Sequence, residues 1–326
     1  MSLQRSDDLG GAQRDRLRHH GEVYDLFGIH MVNMTLTIVT IGVYRFWAKT
    51  RIRRYLWSQT SFLNDRFEYT GTGKELLIGF AIVMAFLIGF FVVYTGLFTW
   101  IWPDWAADEG LQMLYNTSVF SLSLAVVAMA RYRARRYRLS RTQWRGIRGA
   151  QTGSSVQYGL RELGFWILIL LTFGFYMPYM STRQAAYKFN NTWFGDRRIA
   201  FDATGDKLLG VFALCWLLTL PTLGLSLFWY RAASLRYFAS RVRYGDLGFE
   251  IGINGWSLTL LVIPNWLLTT FTFGLAYPYV LIRVANFICN RLVLVGDQDF
   301  ALIAQNLRPK PTTGEGLAEA FDIGDF

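Results

Sequence analysis

The chain is poor in the residues from which most active sites are built. Among 326 residues there are two cysteines and three histidines, and only 17% are Asp, Glu, Lys or Arg. Cys215 and Cys289 both lie in apolar surroundings. A structural disulfide is therefore not expected, and packing is their expected role. His19 and His20 fall in a polar N-terminal stretch with no partner at metal-ligand spacing, which reads as a solvated tail. His30 lies in an apolar arm and reads as a packed or headgroup-facing side chain. No phosphate-binding glycine loop or nucleophile elbow occurs. Few charges interrupt the apolar runs, so no ion or proton path is expected. These absences point away from an enzyme and give no reason to expect a cofactor or a metal. Residues 1–22 also lack the apolar stretch of a cleaved signal peptide.

Apolar residues make up 52% of the chain and aromatics 17%, and long uncharged runs follow from that. Leu76–Trp102 is broken only by small or aromatic residues, and Leu208–Tyr230 carries no charge. About 20 apolar residues cross a hydrocarbon core of about 30 Å, so an integral membrane protein is expected. The net charge of +10 is concentrated just after the apolar runs, as in Lys49–Arg54 and Arg131–Arg141. Beside membrane segments such clusters mark the cytoplasmic side or meet anionic headgroups, and nucleic acid is not the expected partner. The acidic loop Pro103–Gly110, without Lys or Arg, is expected on the opposite side.

One unit recurs along the chain: an apolar helix, a break, a second helix carrying Arg or Lys, and a tight hairpin. Thr172-Phe173-Gly174 with Pro178-Tyr179 matches Thr272-Phe273-Gly274 with Pro278-Tyr279. Thr40-x-Gly42 with Phe46-Trp47, and Thr222-x-Gly224 with Phe228-Trp229, repeat the frame. The pattern divides the chain into a polar tail over 1–21, modules over 22–73, 74–153, 154–205, 206–255 and 256–304, and a C-terminal tail over 305–326. The tail ends in an acidic and apolar stretch that is expected either to dock on the basic face or to be disordered.

The expected fold class is an α-helical integral membrane protein with small β-hairpins. It has five helix–turn–helix–β-hairpin modules. One fully spanning helix pair lies in the second module, and the other four modules are re-entrant hairpins turning at Thr-x-Gly, each arm being about 12 residues or about 18 Å. Six conventional spans are the alternative. Gly-Asp pairs at Gly195-Asp196, Gly245-Asp246 and Gly296-Asp297, with Asn64-Asp65, predict the hairpin turns. Trp144–Gly149 is the weakest copy of that signal. Half-buried turns need cover from protein or water, which predicts a homo-oligomer.

Thr40-Ile41-Gly42 through Lys49, Phe67-Glu68-Tyr69-Thr70-Gly71-Thr72-Gly73, and Arg138-Leu139-Ser140-Arg141 through Arg148 resemble the YjgN-type family of bacterial inner-membrane proteins. The resemblance covers the chain beyond its polar start. It implies the bacterial cytoplasmic membrane and no activity, since the family is a domain of unknown function.

Two functions are expected from this pattern. The first is a non-enzymatic, oligomeric scaffold that embeds in the cytoplasmic leaflet and organises it. Its candidate headgroup contacts are Lys49, Arg51, Arg53, Arg54, Arg131, Arg133, Arg135, Arg136, Arg183, Arg231 and Arg283. The second is a transporter or channel whose site is lined by the turn residues Thr40, Gly42, Thr172, Gly174, Thr222, Gly224, Thr272 and Gly274. Trp47, Tyr179, Trp229 and Tyr279 are expected to anchor at the interface.

Overall fold

A computed structural model describes residues 14–296 together with Phe300 and Ile303. The C-terminal tail and Asp297 lie outside the described residues. The chain is mostly helical, with short strands between helix pairs. In order these are β1 (Arg14–Arg16), β2 (Arg18–His19), α1 (Val23–Val39), α2 (Arg45–Ser58), β3 (Thr60–Phe62), β4 (Asp65–Tyr69), α3 (Gly73–Ile101), α4 (Glu109–Arg141), β5 (Thr142–Trp144) and β6 (Ile147–Gln151). There follow α5 (Ser155–Leu171), α6 (Met177–Asn190), β7 (Thr192–Phe194), β8 (Arg197–Arg198), β9 (Ala200–Phe201), α7 (Asp206–Leu217), α8 (Ser226–Arg241), β10 (Val242–Tyr244), β11 (Leu247–Ile251), α9 (Gly255–Phe271), α10 (Tyr277–Arg291) and β12 (Leu292–Val295).

Local chemistry sets these boundaries. Thr72, Asp108, Ser154 and Asn254 are N-caps whose side chains accept an N–H three residues on. Asn254 and Ser257 complete a reciprocal capping box. Pro178 and Pro278 sit in the first turn of α6 and α10, where a missing N–H costs nothing. Two-residue loops join the hairpins: Leu63-Asn64, Arg145-Gly146, Gly195-Asp196 and Gly245-Asp246. Both residues of the first two loops have positive φ, as a type I′ turn requires.

The strands form two antiparallel sheets, ordered β1-β12-β11-β10-β9 and β2-β3-β4-β5-β6-β7-β8. A single residue separates β1 from β2, and a single residue separates β8 from β9. Those residues, Leu17 and Ile199, pack in one common core with Phe62, Trp144, Tyr244, Leu247 and Leu294. The two sheets are thus joined at both ends by a bent strand and close on each other around that core. The Tyr244 hydroxyl also donates across the gap to the Phe194 carbonyl at 3.0 Å.

Three sequence expectations need correction. Residues from Arg14 to His20 are not a solvated tail. β1 pairs with β12 (Arg14 opposite Val295), β2 pairs with β3 (Arg18 opposite Ser61), and His19 Nδ1 and His20 Nε2 meet the Thr60 and Ser61 hydroxyls. The Trp144–Gly149 hairpin is not the weakest; it lies in the middle of the longer sheet, and Trp144 is buried in the common core. The first arms are not about 12 residues throughout: α1, α5 and α9 have 17 residues and only α7 has 12.

Each of the helix pairs α1–α2, α3–α4, α5–α6, α7–α8 and α9–α10 leaves one strand of this closed β body and returns to a strand of the same body. Two helices, α3 of 29 residues and α4 of 33, are long and apolar enough to cross a membrane, and only 17% of each apolar window is buried. Their bases are tied by Glu75, which accepts from the Tyr137 hydroxyl and from Arg141 (2.8 Å).

Candidate functional site

The four helix turns outside the long pair are built alike. Thr40, Thr172, Thr222 and Thr272 each donate their hydroxyl to the carbonyl four residues back and accept the N–H four residues on. Gly42, Gly174, Gly224 and Gly274 each donate their N–H to the carbonyl five residues back, at 2.7–2.8 Å. This is the Schellman closure of a helix C-terminus. The candidate pore groups are therefore engaged within the turn itself. The break thus satisfies the Thr hydroxyl and the Gly N–H and leaves fewer backbone groups for hydrocarbon to penalise.

Between Thr and Gly stands a residue the sequence reading passed over. Ile41, Phe173, Leu223 and Phe273 hold φ of 49, 49, 50 and 49°, in the left-handed region. Glycine usually takes that position, and a side chain there costs about 1–2 kcal/mol. These four residues are also 94, 83, 94 and 92% exposed. Val39, Leu170, Leu171, Leu220 and Phe271 surround them, exposed as well. Every tip is thus a bare apolar knob held in a strained conformation. The available signal was a large apolar residue directly before the turn glycine.

The basic candidates divide by what they touch. Arg54, Arg136 and Arg236 each donate to the carbonyl 17 residues ahead, at Gly71, Gly153 and Ile253, where the next unit begins its first helix. Arg133 Nε reaches Ser155 Oγ at 3.1 Å in the same way. Arg51 and Arg183 meet the hydroxyls of Tyr44 and Tyr176, the residues just before their own helices. Arg283 donates to the Asn265 side chain (3.0 Å) and to the Leu260 carbonyl (2.9 Å). Pro264, four residues past Leu260, cannot supply the N–H that this carbonyl would otherwise accept. Arg53 and Arg135 lie over the rings of Tyr69 and Phe189. Lys49 is half-buried, and Arg131 and Arg231 are exposed.

Three of the four aromatic anchors touch the next unit, while Tyr279 is exposed. A Cβ on Gly73 would strike Trp47, one on Gly205 Tyr179, and one on Gly255 Trp229, each within 2.6 Å. These rings therefore lie on the glycine that opens the next unit. Phe228, Ala232, Leu235 and Phe238 of α8, with Val242 at the start of β10, pack into cores with Ile253, Leu258 and Phe201. Tyr55, Tyr187 and Tyr237 join the two helices of a unit through their hydroxyls, each at the backbone of the residue 33 positions earlier (Glu22, Ser154 and Thr204).

Among the described residues no group of His, Cys, Asp and Glu could hold a metal, and Cys215 and Cys289 are separate, buried thiols. Glu162 is buried at the α5–α6 contact and accepts from Gln184. Asn33, also buried, reaches the Ala48 carbonyl at 3.5 Å. Both are packing contacts between paired helices.

A family profile described as "Bacterial protein of unknown function (DUF898)" matches residues 14–228 and 206–320. The inner membrane protein YjgN of Salmonella typhimurium is 37% identical over 62 residues, 19% of this chain and 15% of that protein. Its namesake in Escherichia coli K12 is 37% identical over 59 residues, 18% and 15%. The aligned stretch thus spans about one-seventh of the length of those relatives, 15% in each case. No solved structure matches the chain.

Proposed function

The chain belongs to the DUF898 family of bacterial proteins, and on that footing we propose that it is an inner-membrane scaffold that inserts four apolar helix tips into the cytoplasmic leaflet. It crosses the membrane only with α3 and α4. In this reading the modules are repeats of one re-entrant hairpin and the closed β body sits in the cytoplasm. The relatives are named as inner membrane proteins, which supports that compartment. The action is non-enzymatic: the protein displaces and orders lipids.

The observation that carries the proposal is the set of strained, fully exposed apolar residues at Ile41, Phe173, Leu223 and Phe273. In water such knobs are unfavourable twice over, by strain and by exposure. In hydrocarbon the exposure becomes favourable. Depth agrees with this. The first cation after the tip lies 11 residues past Thr172 (Arg183), 9 past Thr222 (Arg231) and 11 past Thr272 (Arg283). At 1.5 Å per residue that is roughly 14–17 Å, close to half of a core of about 30 Å. In the first unit Arg45 comes earlier, drawn over the rings of Phe46 and Phe80.

Strand pairing favours this topology over six spans. Six spans would place alternate hairpins on opposite sides of the bilayer, where they could not hydrogen-bond to one another as they do here. The basic second helices and the acidic loop at 103–110 then obey the positive-inside rule together. Exposed Arg131 and Arg231 are the best placed of the basic candidates to meet anionic headgroups, each contributing about 1 kcal/mol near such a surface. The transporter reading has less support, because the Thr hydroxyls are taken up in capping. The turn Thr and Gly groups are engaged within the turn, so the reason for a homo-oligomer is weaker and lipid is the proposed cover.

The test uses single cysteines in a background lacking Cys215 and Cys289. An environment-sensitive dye at residue 173 or 223 should be quenched by lipids labelled at mid-leaflet depth. Cysteines at Gly195 and Gly245 should both resist an impermeant thiol reagent in intact cells. Labelling of Gly195 but not Gly245 would restore the six-span topology and sink the proposal.

A further inference from the structure

Among the described residues only one helix pair, α3–α4, is long and apolar enough to reach the far leaflet. The near leaflet, on the reading above, receives that pair and the upper turns of α1, α2 and α5–α10. A helix with its side chains is about 10–12 Å wide, so each occupies roughly 80–110 Å² in the membrane plane. The eight short-hairpin helices therefore add roughly 600–900 Å² to one leaflet with no counterpart in the other. We infer that the protein is a curvature-selective wedge, favouring membrane that bulges toward its β body. This rests on the insertion proposed above and goes beyond it, since shallow hairpins could insert without this leaflet asymmetry being felt.

Three features make the wedge stiff rather than compliant. The helix layer closes on itself, since α1 packs against α10 through Leu26, Leu281 and Ile282. Each unit is locked to the next, by Arg54, Arg136 and Arg236 on the following helix start and by Trp47, Tyr179 and Trp229 on Gly73, Gly205 and Gly255. Below, every helix pair is fixed to the same closed strand body. Splaying or narrowing the near-leaflet footprint would break these contacts, so the bilayer must bend to fit.

The chemistry of the occupied leaflet is apolar and unspecific. The tips carry Ile, Phe, Leu and Phe, and the Thr hydroxyl and Gly N–H of each turn are engaged within the turn. The wedge therefore responds to acyl-chain packing, while headgroup charge acts only at the basic helices below.

The experiment pulls a narrow tube from a giant vesicle containing the fluorescently labelled full chain. Orientation is set by selecting vesicles whose β body is outside or inside. With the body outside, density on the tube should exceed that on the parent vesicle several-fold; with the body inside, the tube should be depleted. Replacing Ile41, Phe173, Leu223 and Phe273 together by Ser should reduce the enrichment. Equal density on tube and vesicle in both orientations would overturn the wedge. Mid-leaflet quenching at residue 173 is read in the same vesicles. Quenching without sorting rejects the wedge alone, and absence of quenching rejects the insertion beneath it.

Discussion

At the scale of the residue, the tip side chains set stability against the membrane contact proposed above. Replacing Phe173 by Gly releases a left-handed strain of about 1–2 kcal/mol, partly offset by the greater freedom of the unfolded chain, about 0.4–1 kcal/mol. The variant should melt in detergent no lower than the parent, yet show weaker mid-leaflet quenching at a dye placed on Phe175. A clear loss of thermal stability would mean that the ring packs within the protein. His19 gives a second prediction. Burial, with His20 beside it, lowers its pKa below 6.5. The folded state then binds a proton less readily than the unfolded one. Stability therefore rises with pH through the window below 6.5 and falls on acidification. The melting point should drop between pH about 7 and about 5, and drop less in His19→Gln, as read by thermal scans. Neither role was legible beforehand. The turn glycines and threonines are visible as a repeat, but the residue between them varies among Ile, Phe and Leu, and its conformation is a property of the turn. His19 looks solvated because its partner Thr60 is 41 positions away.

At the scale of the element, the Arg and Lys of the second helices were read as headgroup contacts. Several of these helices also form the joints between units. Arg and Trp on one unit act on the next, and a spacing of 17 or 26 residues becomes meaningful only once the neighbour is known. Helix existence, turn position and the two-residue hairpin loops were legible, since Gly, Pro, Asp and Thr act locally. Helix length was less so: apolar residues continue through α1, α5 and α9 without a sign of where lipid contact ends. The joints give a sharp test. A Cβ at Gly255 would lie 2.3 Å from the Trp229 ring. Gly255→Ala should therefore destabilise by about 1–3 kcal/mol through overpacking. The same change at Gly210, where nothing lies within 4 Å, should be neutral or favourable. Equal melting points for the two variants would mean the joint yields.

For the whole molecule, closure depends on the strand at Arg14–His19, which the hydropathy pattern hid because its outward residues are arginines. Removing residues 1–20 leaves β12 and β3 with bare edges on the shortened ring. Such edges pair with other chains, so the truncated protein should elute as dimers and larger species where the full chain is monodisperse. A monodisperse truncation would show that the ring holds without its closing strand. The same strand also orders events in time. Arg14 lies opposite Val295, so the two emerge from the ribosome 281 residues apart. At about 5–20 residues per second that interval is roughly 14–56 s. The first of the described strands to be synthesised is the last to find its place, and on the topology proposed above it waits unpaired in the cytoplasm while α3 and α4 insert into the bilayer.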